Sequence, residues 1–231
     1  MSRHGRGRAI LGGSFNPPHI GHLRLAVEAR EALNDLIDGV DLTPCALPPH
    51  KAASNLLPFG LRAAMLEAAV SDLPFLRCNR LESRRKGISY TWDMLIACRA
   101  ALPGTDFYFL LGAPDFALLP TWFRGLELPS LCHFVVAPRG GMAENEFIAT
   151  VVRLWPDAEE RPSLLPRSRC LALPGGGRAY FLPLPCLNVS ASDIRERWLN
   201  GRSIAYLVPR TVLRLLDDAR AVAADRWQTM A

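Results

Sequence analysis

Long apolar runs are missing from this sequence. No stretch approaches the roughly 18 consecutive apolar residues that a spanning helix requires, so a helical membrane protein is not a viable reading. Met1 to Arg8 is polar and basic, with no apolar segment behind it. The expectation is therefore a cytoplasmic protein without a secretory leader. Paired cysteines are also missing. The six cysteines, at 45, 78, 98, 132, 170 and 186, form no C-x-x-C pair and stand at no zinc-finger spacing with histidine. Most lie in apolar stretches such as Ile96-Ala97-Cys98, and they read as small buried thiols in a reducing compartment. Nor is there a stripe of arginine. The net charge of +5 is spread along the chain, which suits a small anionic substrate and gives no support to a nucleic-acid groove.

What is present is an ordinary globular composition, 49% hydrophobic and 21% charged, in 231 residues. That length can bury a sizeable core in one large α/β domain. The boundaries expected are a basic tail over 1–7 and a single domain over 8–220, with a helical subregion over about 186–220. Strand patterns at Arg8–Leu11, Val40–Ala46, Phe75–Cys78, Phe107–Leu111, Phe134–Ala137 and Tyr180–Leu184 alternate with helix patterns. The helices are expected at Gly21–Leu33, Leu61–Val70, Thr91–Ala101 with Thr91 as cap, Ser190–Leu199, and from Pro209 to Leu216. Apolar strands alternating with helices imply a Rossmann-like, doubly wound parallel sheet with helices on both faces. The Pro- and Gly-rich stretch from Pro156 to Gly177 reads as a surface excursion.

Chemistry concentrates in Gly12-Gly13-Ser14-Phe15-Asn16-Pro17-Pro18-His19-Ile20-Gly21-His22. The glycines let backbone turn sharply and approach a ligand. His19 and His22 are three apart at the start of a helix, so both face one ligand. A helix N-terminus attracts anions through its free N–H groups, and two imidazoles add donors to phosphate oxygens. The run contains no G-K-[ST] and does not fit G-x-G-x-x-G, so neither common phosphate signature explains it. Further along, Ser190 and Ser192 can cap a helix whose N–H groups face a phosphate, with Arg195 one turn on adding charge. Lys51, in a polar loop, can reach a phosphate. Arg139, in a glycine turn after a strand, can pack on a base or contact a phosphate.

His19-Ile20-Gly21-His22 resembles the (H/T)-x-G-H signature of the nucleotidyltransferase superfamily. Several other segments are similar to one branch, the bacterial nicotinate-mononucleotide adenylyltransferases. These are Pro48-Pro49-His50-Lys51, Arg62 with Met65-Leu66, Ser89-Tyr90-Thr91, Leu111-Gly112 followed by Pro120-Thr121-Trp122, and Asn188 to Arg195. The resemblance spans about Ala9 to Leu216. It implies adenylyl transfer from ATP to nicotinate mononucleotide, giving deamido-NAD⁺ and pyrophosphate with no covalent enzyme intermediate. Gly12, Gly13, Ser14, Phe15, His19, His22, Gly112, Asp115, Arg139, Ser190, Ser192 and Arg195 would then bind ATP. His19, His22 and Arg195 would be the catalytic members of that set. Asn16, Lys51, Arg62, Ser89, Tyr90, Thr91 and Trp122 would bind the mononucleotide, with Trp122 stacking on the pyridine ring and the backbone at Tyr90-Thr91 meeting its carboxylate. No protein cage for a metal is expected; Mg²⁺ would arrive on the substrate phosphates. Partners would be the two substrates, with no nucleic acid or membrane, in a monomer or homo-oligomer. One departure stands out: where the family has Asp, two residues after the strand-end glycine, this chain has Pro114. Either the neighbouring Asp115 takes over the ribose contact or that contact is lost. The alternatives are the same chemistry on nicotinamide mononucleotide, or a non-catalytic nucleotide binder on the same fold.

Overall fold

The computed structural model of the chain describes residues 7–49, 55–85, 87–138, 141–165, 168–185 and 187–228. The strands are β1 (Gly7–Gly13), β2 (Ile37–Pro44), β3 (Leu76–Cys78), β4 (Phe107–Gly112), β5 (His133–Ala137), β6 (Glu159–Arg161), β7 (Arg169–Ala172) and β8 (Arg178–Phe181). They form one sheet in the order β3-β2-β1-β4-β5-β8-β7-β6. From β3 through β8 all neighbours are parallel, and β7 and β6 return antiparallel at the edge. The chain leaves β1 toward β2 on one side and comes back to β4 on the other. That reversal opens a crevice at the carboxyl ends of β1 and β4, where ligands of such sheets bind.

The helices are α1 (Ile20–Ala32), α2 (Phe59–Val70), α3 (Thr91–Ala101), α4 (Ala113–Ala117), α5 (Glu144–Leu154), α6 (Ala191–Leu199), α7 (Arg210–Asp218) and α8 (Arg220–Gln228). Strand alternation sends Ala9 and Leu11 to one face, where they pack with Ala26 and Ala29 of α1 and Leu66 and Val70 of α2. Ile10 points to the other face, toward Leu95 and Cys98 of α3 and Phe147 and Val151 of α5. Each fully buried Leu, Ile or Phe removes apolar surface worth about 1.5–3 kcal/mol, and this is what ties both layers to the sheet. A third cluster joins Leu57 and Met65 to Ile194 of α6, Val212 and Leu216 of α7, and Ala223 and Trp227 of α8.

Several expectations need correction. The Pro156–Gly177 stretch contains β6 and β7 and so belongs to the sheet. β6 reads Glu-Glu-Arg and is exposed throughout, as a charged edge strand with no apolar face should be. The strand expected to start at Tyr180 starts at Arg178 and ends at Phe181. α5 and α8 were not expected. Thr91 is the first helical residue of α3, and the cap is Tyr90, which makes no side-chain capping bond. Among the described residues no helix is long and apolar enough to cross a membrane. Cys45, Cys78, Cys98, Cys132 and Cys170 are all reduced.

Candidate active site

The site is built on the segment between β1 and α1. Gly12 and Gly13 end the strand, and a Cβ on either would sit 3.4 Å from an aromatic ring, that of Phe109 or of Phe15. Phe15 is 1% exposed and adopts a left-handed φ of 47°, so its buried ring holds the turn in a conformation most residues avoid. The Asn16–Pro17 peptide is cis. α1 then begins at Ile20 with His19 as its cap residue. The rings of His19 and His22 stack with centroids 3.6 Å apart, and the Phe15 ring meets His22 edge-on at 4.8 Å.

A cavity of about 460 Å³ opens over this turn. Gly12, Gly13, Ser14, His19 and His22 line its centre. Gly112, the last residue of β4, and Asp115, in α4, line it as well. Ser89, Tyr90, Thr91, Met94 and Trp122 are also part of the lining. Trp122 is half-buried, with the Phe109 ring edge-on at 6.3 Å. Pro114 is accommodated in the first turn of α4, where its missing N–H costs little. The carboxylate of Asp115, one residue on, lies at the cavity wall. The Ser89 hydroxyl accepts the N–H groups of Ala46 and Leu47 at 2.9 and 3.1 Å, fixing the segment that leads from β2 toward Pro48-Pro49.

Six of the expected contact residues, Phe15, Asn16, Arg62, Ser190, Ser192 and Arg195, do not line the cavity. Asn16 is buried, and its amide is engaged by protein. Nδ2 donates to the Asn55 carbonyl at 2.9 Å, and Oδ1 accepts from Leu57 N at 3.0 Å and Trp227 Nε1 at 3.4 Å. Arg62 is 1% exposed; Nε donates to the Leu57 carbonyl at 2.9 Å and Nη1 to the Ser14 carbonyl at 2.7 Å. Burial pushes its guanidinium below the ordinary arginine value, while the Cys45 thiol, its hydrogen-bond partner, acts in the opposite direction. Phe15 lies under the turn. Phe15, Asn16 and Arg62 pack behind the turn between β1 and α1, with their polar groups engaged by the protein where they have any.

Ser190, Ser192 and Arg195 follow Leu187 and Val189 in the chain, and of these five only Leu187 and Val189 line the cavity. Ser190 caps α6, its Oγ accepting from Asp193 N at 3.1 Å. Arg195 donates through Nη1 to the Asn16 carbonyl at 2.9 Å and through Nη2 to Ser192 Oγ at 3.1 Å. Burial lowers its pKa. Lys51 with His50, and Arg139, lie outside the described residues.

Sequence reasoning missed Thr43, Cys45, Glu82 and Met94, all on the cavity wall. Thr43 and Cys45 lie at the carboxyl end of β2, a position the open-sheet rule marks for ligands. Glu82 is buried and pairs with Arg85 at 2.8 Å, which also reaches Asp93 at 2.9 Å.

A model of the cytidylyltransferase-like family matches residues 10–197. A probable nicotinate-nucleotide adenylyltransferase of Geobacter sulfurreducens is 35% identical over 217 residues, covering 94% of this chain and 98% of that protein. One from Trichlorobacter lovleyi is 38% identical over 202 residues, covering 87% and 91%. Among solved structures, the Plasmodium falciparum nicotinic acid mononucleotide adenylyltransferase complexed with NaAD superposes with a TM-score of 0.70 at 18% identity, covering 94% of this chain and 98% of that one. The fold is thus shared well beyond sequence similarity, and the sequence similarity extends over nearly the whole length. The chain belongs to the cytidylyltransferase-like family and, within it, to the nicotinate-nucleotide adenylyltransferases.

Proposed function

We propose that the cavity binds ATP and nicotinate mononucleotide side by side and joins them into deamido-NAD⁺, releasing pyrophosphate. The observation that carries this reading is the stacked His19–His22 pair at the start of α1, in a cavity that Gly112, Asp115, Tyr90, Thr91 and Trp122 also line. ATP lies against Gly112 and Asp115, with Asp115 facing the adenylate ribose. The pyridine ring stacks on Trp122, and its carboxylate meets the backbone at Tyr90-Thr91.

The attacking group is a phosphate oxygen of the mononucleotide. It is already ionised at neutral pH, so no general base is needed. It attacks the α-phosphorus in line, the bond to the bridging oxygen breaks, and the electron pair leaves on pyrophosphate. Positioning and charge neutralisation then supply the catalysis. His22 donates to the α-phosphate, assisted by the positive end of α1. Ser190, Ser192 and Arg195 hold the β- and γ-phosphates, with Lys51 and Arg139 as further phosphate or base contacts. Among the described residues, no group of three or more His, Cys, Asp or Glu side chains is placed to hold a metal ion. A magnesium ion arriving on the substrate phosphates would supply further charge neutralisation.

Pyrophosphate release, measured with ATP and each mononucleotide separately and in competition, tests the reading. Turnover with a higher kcat/KM for the acid than for the amide is expected. A preference for the amide would reassign the acceptor, and no turnover with either would leave a nucleotide binder.

A further inference from the structure

The Thr43 hydroxyl stands apart from the other polar groups of the cavity. The residue is 3% exposed, yet Oγ1 has no hydrogen-bond partner among the described residues. It also lines the cavity. Burying a hydroxyl without a partner costs about 1–3 kcal/mol, so a group of this kind calls for an explanation.

Register and alternation locate it. Thr43 sits beside Gly12 of β1, at the carboxyl end of β2. Val40 and Leu42 face the α1–α2 layer, so Asp41 and Thr43 face the α3 layer. Asp41 is consumed there by Arg8, Arg77 and Asn79 at 2.7, 2.6 and 3.1 Å. Thr43, one pleat further, has no such partner and is among the residues that line the cavity. β2 lies on the far side of β1 from β4, about 10 Å across two strand spacings from Gly112. Its face is shared with Met94 of α3, the helix that Ser89-Tyr90-Thr91 introduces.

We infer that Thr43 is a specificity residue whose hydroxyl is completed by the substrate, hydrogen-bonding an oxygen of the pyridine nucleoside half. This rests on the functional reading above. The oxygen belongs either to the ring carboxylate or to the attached ribose, and the hydroxyl pairs with both by the same chemistry.

Steady-state kinetics and thermal unfolding of wild type, Thr43→Val and Thr43→Ser test it. Valine keeps the shape and removes the hydroxyl. KM for nicotinate mononucleotide should rise about tenfold in Thr43→Val, with KM for ATP unchanged and Thr43→Ser close to wild type. The substrate-free Thr43→Val protein should melt about 2 °C or more above wild type, because an unsatisfied buried group has been removed. Nicotinamide mononucleotide keeps the ribose and lacks the carboxylate, so an equal penalty on both substrates assigns the ribose and a penalty on the acid alone assigns the carboxylate. An unchanged mononucleotide KM, a rise confined to ATP, or a lower melting temperature would each overturn the inference while leaving the function intact. Wild-type protein that neither binds nor turns over the mononucleotide would overturn both.

Discussion

The backbone N–H of His19 donates to Nδ1 of His22 at 3.2 Å. This single bond sets the chemistry of the second imidazole. With Nδ1 accepting, the neutral ring carries its proton on Nε2, and His22 lines the cavity. His22→Ala should therefore lower kcat about 10²–10³-fold, as removal of one donor to a developing oxyanion does. Circular dichroism and the unfolding midpoint should stay close to wild type. Near-normal turnover would remove His22 from the reaction.

Gly21 is fixed by the same ring pair. A Cβ there would lie 3.0 Å from Nδ1 and 3.1 Å from Cε1 of His19. Alanine favours a helix over glycine by about 1 kcal/mol, so Gly21→Ala should leave stability nearly unchanged while displacing His19. A drop in kcat of about a hundredfold is expected from such a shift, read by single-turnover kinetics at saturating ATP. Unaltered kcat would mean that the imidazole can move without consequence.

Arg62 supports the turn through two backbone carbonyls, those of Leu57 and Ser14. Arg62→Met keeps most of the volume and leaves both acceptors without this donor. The expected loss is about 2–4 kcal/mol, measured by denaturant unfolding. A weaker mononucleotide KM at full stability would restore Arg62 as a direct substrate contact.

His133 offers a pH test far from the cavity. It begins β5, with the Tyr108 and Tyr180 rings at 4.9 and 6.4 Å. Burial pushes its pKa below the ordinary 6.5, Asp106 opposing and Arg178 adding to the shift. Because the folded state binds this proton less readily than the unfolded state, the stabilisation is complete above the unfolded pKa and is lost as pH falls through the folded one. Unfolding midpoints should therefore drop between about pH 8 and about pH 5. Replacement by phenylalanine should reduce that drop. An identical pH profile in His133→Phe would assign the acid sensitivity elsewhere.

Much of the fold was legible because its strands are short, apolar and punctuated by glycine or proline. Leu11 before Gly12-Gly13, and Leu111 before Gly112, mark strand ends that the structure reproduces. β6 escaped because an edge strand of Glu-Glu-Arg carries no apolar face to read. At the site, residues that reach the cavity through the local course of the chain, such as His19, His22 and Trp122, were identified by motif. The inward course of Asn16 and Arg62 was not readable, because it depends on groups of distant segments such as Leu57 N, Ser14 O and Trp227 Nε1. Thr43 carries no motif at all; its position depends on which face of β2 meets α3.

Asn16 also bears on how the enzyme comes into being. It is held by Arg195 from α6 and Trp227 from α8, across separations of 179 and 211 residues. Loop closure over such spans comes late in folding. A nascent chain still lacking α8 would carry the histidine turn without its final clamp. The turn that carries both histidines is thus clamped by the part of the chain that docks last, so its final shape waits on α8.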